Sequence, residues 1–343
     1  MSKIKFYFIF LIAAVVLISS CNKDDNNVPV TPPKPYAEQY PIDIATIESY
    51  LKANYITVVN NPGAVNDQDI TIAALDADHP TSIWDQTVYP LKSRNVNLHG
   101  IVYKLYYLIL REGTGESPCN VDGVFTAYRG EYLASETASG VTTITSKLFQ
   151  EVKSPNTIFE LYGTIRGWKE VFPQLKSGTS TPNADGTVSY NDFGAAVMFI
   201  PSGLGYYSKE QVGIPAYSPL VFNVKLYALK RLDQEINIIN GVPVTDPDGV
   251  KSFQEDRDGD GYMWTKSELQ DGVTTNPDDT DGDGTPDFLD FDDDGDNYAT
   301  KGEIKDANGN YYLFENIPDC SGNTADPNRL KRYLDKDCIK MNQ

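Results

Sequence analysis

The stretch TIFELYGTIRGWKEVF, residues 157–172, has the pattern of a strand that leads into a short helix. It contains Trp168, one of only three tryptophans, directly after a glycine. Tryptophan is useful mainly where a large, flat apolar surface is needed, and glycine lets a chain turn tightly. The Ile-Arg-Gly-Trp corner therefore predicts a tight turn that presents an indole ring to a ligand or to the core.

Strands dominate the chain around this corner, between residues 101 and 233. The supporting segments are rich in β-branched and aromatic residues: IVYKLYYLIL (101–110), DGVFTAYRGEYL (122–133), GAAVMFIPSGLGYY (194–207) and SPLVFNVKLYALK (218–230). Only RGWKEVFPQLKSG reads as a helix among them. The pattern predicts an α+β fold in which an antiparallel sheet carries one short helix. Before it, residues 40–100 contain one amphipathic helix, with a packing or dimerisation role.

Spaced motifs between Tyr103 and Lys230 resemble the FKBP family of peptidyl-prolyl cis/trans isomerases. In order they are YRG, LFQ, FELYGTIRGW, VMFIPSGLGY and GIPAYSPLVFNVKL. The resemblance implies a twisted antiparallel sheet wrapped on a short helix, with Trp168 as the floor of an apolar pocket for Pro-containing polypeptide segments. It also implies the residues that form the walls of this pocket: Tyr128, Phe149, Ile165, Tyr206, Ile214 and Phe222.

Two departures from the family bear on activity. Gln150 stands where the family commonly has an aspartate, and Thr157 stands where a pocket aromatic is expected, with Phe159 close by. Rotation about an X–Pro bond needs a dry pocket and no nucleophile, so we expect no cofactor for catalysis. One alternative is a non-catalytic module that binds Pro-containing segments in a cell-surface assembly. Another is a carbohydrate-binding or adhesion lipoprotein.

The segment from residue 240 to 310 is rich in Asp and Gly. DTDGDGTPDFLD (279–290) and the loop that begins two residues later have calcium-loop spacing and resemble thrombospondin type 3 repeats. The candidate ligands are Asp279, Asp281, Asp283, Asp287 and Asp290 in the first loop, and Asp292, Asp294, Asp296, Thr300 and Glu303 in the second. A third loop offers Asp256, Asp258 and Asp260, but Glu268 falls one residue late. We expect calcium in a structural role; the alternative is a disordered acidic spacer.

The N-terminus has the pattern of a bacterial lipoprotein signal. Residues 1–20 are the signal peptide, Cys21 is the lipidated residue, and 21–39 form a Pro-rich tether. The pair Asp24-Asp25 resembles the surface-export signal of Bacteroidetes lipoproteins. We therefore expect an outer-membrane lipoprotein, on the periplasmic face or the cell surface, that contacts the membrane through its lipid anchor.

Net charge and the counts of histidine and cysteine limit the kinds of function and site that this chain can have. A net charge of −19 excludes a nucleic-acid-binding role, because phosphate is repelled. With only His79 and His99 present, a His-based site is not expected. In an exported chain, Cys320 and Cys338 of the 311–343 tail are close enough in sequence for a disulfide, whereas Cys119 has no obvious partner.

Overall fold

The computed structural model describes residues 32–270 and 272–338. The signal peptide, Cys21 and most of the tether lie outside these residues, and their assignments stay predictions. Within the described part, no helix combines the length and apolar character needed to cross a membrane.

A seven-stranded antiparallel sheet forms the centre of the protein, which confirms the predicted α+β class. Its strands are β3 (Lys92–Leu98), β4 (Ile101–Arg111), β5 (Gly123–Ala138), β6 (Val141–Val152), β7 (Phe159–Glu160), β10 (Gly194–Ile200) and β11 (Leu220–Lys230). The spatial order is β3-β4-β10-β11-β5-β6, and the short β7 pairs with β5. Two of the three small hairpins that the described residues form outside this sheet are β1 (Asn54–Val58) with β2 (Ile70–Ala74), and β8 (Thr179–Pro182) with β9 (Val188–Asn191).

Both faces of the sheet are covered by helix. The short α2 (Arg166–Val171) packs on the face that carries Met198 and Phe222, and the longer α1 (Tyr36–Ala53) packs on the face that carries Phe199. Successive strand residues point to opposite faces, so β10 is buried along its whole length. The helix expected in residues 40–100 therefore has a packing role in this structure.

Two element boundaries differ from those expected. Helix α1 begins at Tyr36, inside the predicted tether. Strand β3 pairs with β4 through a two-residue turn, so a domain start at residue 101 would cut a hairpin. His99 and Gly100 in that turn have φ of 56° and 69°, as a tight hairpin turn requires.

Residues after the sheet fold into short elements with small cores of their own. These elements are the hairpin β12 (Ile236–Ile239) and β13 (Val242–Thr245), the short α3 (Thr300–Glu303) and several single 3₁₀ turns. Cys320 and Cys338 are joined by a disulfide, with Cα atoms 5.3 Å apart. One core joins Ile304 to Tyr333, across the expected boundary at residue 311, and another joins Val121 to Phe288. The acidic segment therefore packs against the sheet domain.

Candidate functional site: an aromatic cluster above the short helix

Trp168 lies in the first turn of α2 and is the centre of an aromatic cluster. Its ring centroid is 5.3 Å from that of Tyr128 and 5.3 Å from that of Phe222, both in edge-to-face contact. Phe149 meets Phe222 at 5.6 Å. Edge-to-face pairs fix ring orientation, so these side chains form a rigid apolar surface.

The structure brings all seven predicted pocket residues into one hydrophobic cluster. Tyr128, Trp168, Ile214 and Phe222 are 3–8% exposed and form its floor. Phe149, Ile165 and Tyr206 are only partly buried and form its rim. Trp168 therefore lies beneath side chains that are more accessible to solvent.

Phe159, and not Thr157, supplies the additional aromatic ring. Phe159 lies in β7 with its centroid 5.6 Å from Trp168 and 5.8 Å from Tyr128, whereas Thr157 is exposed. The expected departure at Thr157 is therefore wrong. The pairing of Phe159 with Val124 of β5 sets which residues of this stretch point inward. No local pattern in the sequence specifies that pairing.

Two glycines make room for this cluster. A Cβ at Gly130 of β5 would lie 2.5 Å from Phe149 Cζ and 2.8 Å from Phe222 Cε1. A Cβ at Gly167 would lie 2.6 Å from Ile200 Cδ1. Gly167 is helical, so its role is close packing of α2 on the sheet; the expected tight turn is wrong.

Polar groups at the site are few and neutral. Burial raises the pKa of the Tyr128 and Tyr206 hydroxyls, so both stay protonated donors at neutral pH. The Trp168 indole N–H is buried and meets no acceptor among the described residues. The Thr164 N–H donates to the Leu161 carbonyl, and the Trp168 N–H donates to the Ile165 carbonyl. The Ile165 N–H takes part in neither of these two hydrogen bonds. The site can bind an apolar ring and donate hydrogen bonds to carbonyl groups.

The opposite side of α2 carries a buried ion network that sequence reasoning missed. Glu268 Oε1 lies 2.7 Å from Lys169 Nζ and 3.1 Å from Arg166 Nη1. Glu170 in turn pairs with Arg166 at 2.7 Å and with Arg94 at 2.8 Å. Glu268 is thus engaged by α2, and the carboxylates that converge in the third loop are those of Asp256, Asp258 and Asp260.

The three acidic loops share one geometry. In each, the carboxylates at positions 1, 3 and 5 approach within 4.8 Å of one another: Asp256, Asp258 and Asp260; Asp279, Asp281 and Asp283; Asp292, Asp294 and Asp296. The position-6 N–H donates to the position-1 carboxylate at 2.8, 3.0 and 2.9 Å. In the loop that begins at Asp292, Asn297 occupies position 6 with φ of 74°, a conformation that asparagine tolerates. These oxygen donors fit a hard cation.

At positions 9 and 12, the side chains of the first and second loops make different contacts. Asp287 accepts hydrogen bonds from the N–H and hydroxyl of Thr280, at 2.7 and 2.6 Å. Thr300 Oγ1 accepts from the Asp293 N–H at 3.3 Å. Burial raises the pKa of Asp290 to about 6, and neighbouring carboxylates add to the effect. Glu303 is buried at the end of α3.

Known proteins are similar to parts of this chain. It is 30% identical over 128 residues to the FKBP-type peptidyl-prolyl cis-trans isomerase FkpA of Escherichia coli K12 and of Escherichia coli O157:H7. The alignment covers 37% of this chain and 38% of the relative, so the chain spans well under half the length of the curated relatives it matches. Residues 245–327 match the family model described as BamM C-terminal.

Solved structures of the same class overlap this one in part. The crystal structure of FkpA from Escherichia coli has a TM-score of 0.27 and 29% identity, covering 37% of this chain and 48% of that chain. A peptidyl-prolyl cis-trans isomerase from Pseudomonas syringae pv. tomato has a TM-score of 0.32 and 15% identity, covering 59% of this chain and 100% of that one. The sequence similarity to FKBP-type isomerases is therefore partial.

Proposed function

We propose that this protein is an FKBP-type peptidyl-prolyl cis/trans isomerase that assists the folding of envelope or secreted proteins. The observation that carries the proposal is the cluster of Trp168, Tyr128 and Phe222 beneath the partly exposed rim. Similarity to FkpA supports the same reaction class.

The cluster suits the chemistry of amide rotation. The barrier of about 18–20 kcal/mol arises because resonance is lost as the X–Pro bond twists. The twisted amide is less polar than the planar one, so an apolar site with Trp168 at its floor favours it relative to water. A protonated Tyr206 and the Ile165 N–H at the rim are the donors that would orient the flanking carbonyl groups.

A peptide isomerisation assay without protease tests this function. We expect the protein to accelerate exchange, and Trp168→Ala or Phe222→Ala to slow it by about tenfold or more, equivalent to about 1.4 kcal/mol of transition-state stabilisation. Phe125→Ala is the matched control, because Phe125 is a β5 aromatic that packs with Tyr190 on the opposite face of the sheet. Equal losses in control and pocket variants of confirmed fold contradict the proposal.

A second function is favoured by one observation. Gln150, which replaces the family's usual aspartate, is exposed and lies opposite Gly130 in the β5–β6 register. The pocket thus has no carboxylate at this position, and a non-catalytic module for Pro-containing segments is the alternative. Retained peptide affinity together with absent catalysis supports it.

For the rest of the chain, we propose export as a lipoprotein anchored through Cys21 and a structural role for calcium in the three loops. The lipobox pattern supports the anchor, with the outer membrane as its site, on the periplasmic face or the cell surface. The repeated convergence of carboxylates supports calcium. Surface proteolysis of intact cells, with mass analysis of the mature N-terminus, tests the first of these assignments.

A further inference from the structure

A separate group of carboxylates is distinct from the groups at positions 1, 3 and 5 of the three loops and follows no sequence motif. Asp248, Glu255 and Asp293 come from different segments, yet one oxygen atom of each lies within 4.8 Å of the other two. Their residues are 0%, 1% and 1% exposed. Every loop group, by contrast, keeps at least two members partly or fully exposed.

Few hydrogen bonds and no ion pairs from the rest of the described chain offset the negative charge of these carboxylates. Five of their oxygen atoms receive no hydrogen bond: Asp248 Oδ2, Glu255 Oε1, Glu255 Oε2, Asp293 Oδ1 and Asp293 Oδ2. The nearby lysines are engaged at the edge of the group, where Lys251 pairs with Asp233 at 2.6 Å and Lys301 pairs with Asp246 at 2.8 Å. No described Lys, Arg or His forms an ion pair with the central three.

Further negative charge surrounds the group. Asp233 and Glu235 form a second cluster with Asp248, again with oxygen atoms within 4.8 Å. Glu235 is fully buried, and its Oε1 also lacks a partner among the described residues. Asp248 is common to both clusters. Burying so many charged carboxylates without a counter-charge is strongly unfavourable, so bound protons or a cation must balance them.

We propose that Asp248, Glu255 and Asp293 bind a buried divalent cation, with Ca²⁺ as the ion that fits best. Calcium takes six to eight oxygen ligands at about 2.3–2.6 Å, so ligand oxygens on opposite sides of the ion are about 4.8 Å apart. Three oxygens within 4.8 Å of one another can therefore contact one ion, and the five unpartnered atoms are available as its ligands. The absence of thiol and imidazole ligands disfavours zinc and copper.

The site ties together parts of the chain that lie far apart in sequence. Asp248 follows β13, Glu255 follows the 3₁₀ turn Ser252–Gln254, and Asp293 is the second residue of the loop that begins at Asp292. A cation here therefore joins the segment that leaves the sheet to the second calcium loop. Its removal leaves mutually repelling buried carboxylates and opens this junction.

The test compares Glu255→Gln with Glu315→Gln in the purified protein. Glu315 is an exposed glutamate of the same region and serves as the matched control. Calcium is counted per chain by equilibrium dialysis and atomic emission. We expect Glu255→Gln to bind one ion fewer than the wild type, and Glu315→Gln to bind the same number.

Stability supplies a readout that a simple packing role would not give. In saturating calcium, Glu255→Gln should melt at a lower temperature than the wild type, because a ligand charge is lost. In excess chelator the order should reverse, because the variant has one buried negative charge fewer. An unchanged ion count, or the same order of melting in both conditions, overturns the proposal.

A measurement on the wild type covers the case in which the variant does not fold. Crystals grown with Mn²⁺ should show an anomalous difference peak in contact with the carboxylates of Glu255 and Asp293. Peaks confined to the carboxylates at positions 1, 3 and 5 of the three loops contradict the buried site and leave the loop sites intact.

Discussion

Lys169 Nζ lies 2.7 Å from Glu268 Oε1, across 99 residues of sequence. Both side chains are nearly buried, at 8% and 10% exposure. Lys169 directly follows Trp168, so this pair connects the helix that carries the pocket floor to the acidic segment. Reciprocal hydrogen bonds between Asn120 and the backbone of Met263, at 2.8 and 2.9 Å, strengthen the same junction.

Glu268→Gln should lower the free energy of unfolding by about 3 kcal/mol, because it leaves Arg166 and Lys169 buried beside a neutral group. Chemical denaturation measures the change. Glu136→Gln is the control: Glu136 pairs with Lys147 at 2.8 Å, but both are roughly half exposed, and little change is expected. Equal effects of the two substitutions would show that the buried network adds nothing.

Calcium removal should weaken the sheet domain as well as the acidic segment. In the proposed calcium-bound form, the ordered loops hold Glu268 and Met263 against α2 and Asn120. This support would be lost when the loops open. Calorimetry with and without chelator should show the main transition moving to lower temperature. A sheet transition that stays in place while only the acidic segment melts would contradict this coupling.

Gly130→Ala should impair the pocket without unfolding the protein. The added Cβ pushes the rings of Phe149 and Phe222 from their packed positions, so we expect isomerase efficiency to fall by about tenfold. Gly163→Ala is the matched control, since no atom lies within 4 Å of the position that its Cβ would take. If both variants keep full activity, the two rings are not part of the working surface.

Phe159→Ala should reduce isomerase efficiency by about fivefold, the effect of losing roughly 1 kcal/mol of edge-to-face contact with Trp168 and Tyr128. Thr157→Ala should have no effect, because that residue is exposed. The isomerisation rates of both variants, measured on one Pro-containing peptide, test this prediction. The reverse result would restore Thr157 as the pocket position.

Isomerase activity should not vary between about pH 6 and about pH 9 in the presence of calcium. Burial raises the pKa of Tyr128 and Tyr206, so their hydroxyls keep their protons throughout this range, where unperturbed tyrosine is also protonated. A pH titration of the rate on one peptide checks this. A bell-shaped profile would indicate an acid or base that the pocket residues do not supply.

Much of the architecture follows from local pattern. Alternating apolar strands and the Ile-Arg-Gly-Trp stretch predict the antiparallel sheet and the short helix, and the family resemblance of the spaced motifs implies the six residues that gather around Trp168. The Asp-x-Asp-x-Asp spacing predicts three loops whose carboxylates converge. Such features depend on residues near one another in sequence, or on motifs whose order is informative.

Other features arise only when distant segments meet. Glycine is needed at position 167 because Ile200 packs against it. Glu268 becomes an ion-pair partner through Lys169 and Arg166. Glu255 joins a carboxylate group only because Asp248 and Asp293 lie beside it. None of these contacts has a fixed spacing along the chain. Burial turns an ordinary acidic residue into an ion-pair partner or a metal ligand, because removal from water makes an uncompensated charge costly, and burial is a property of the packed fold alone.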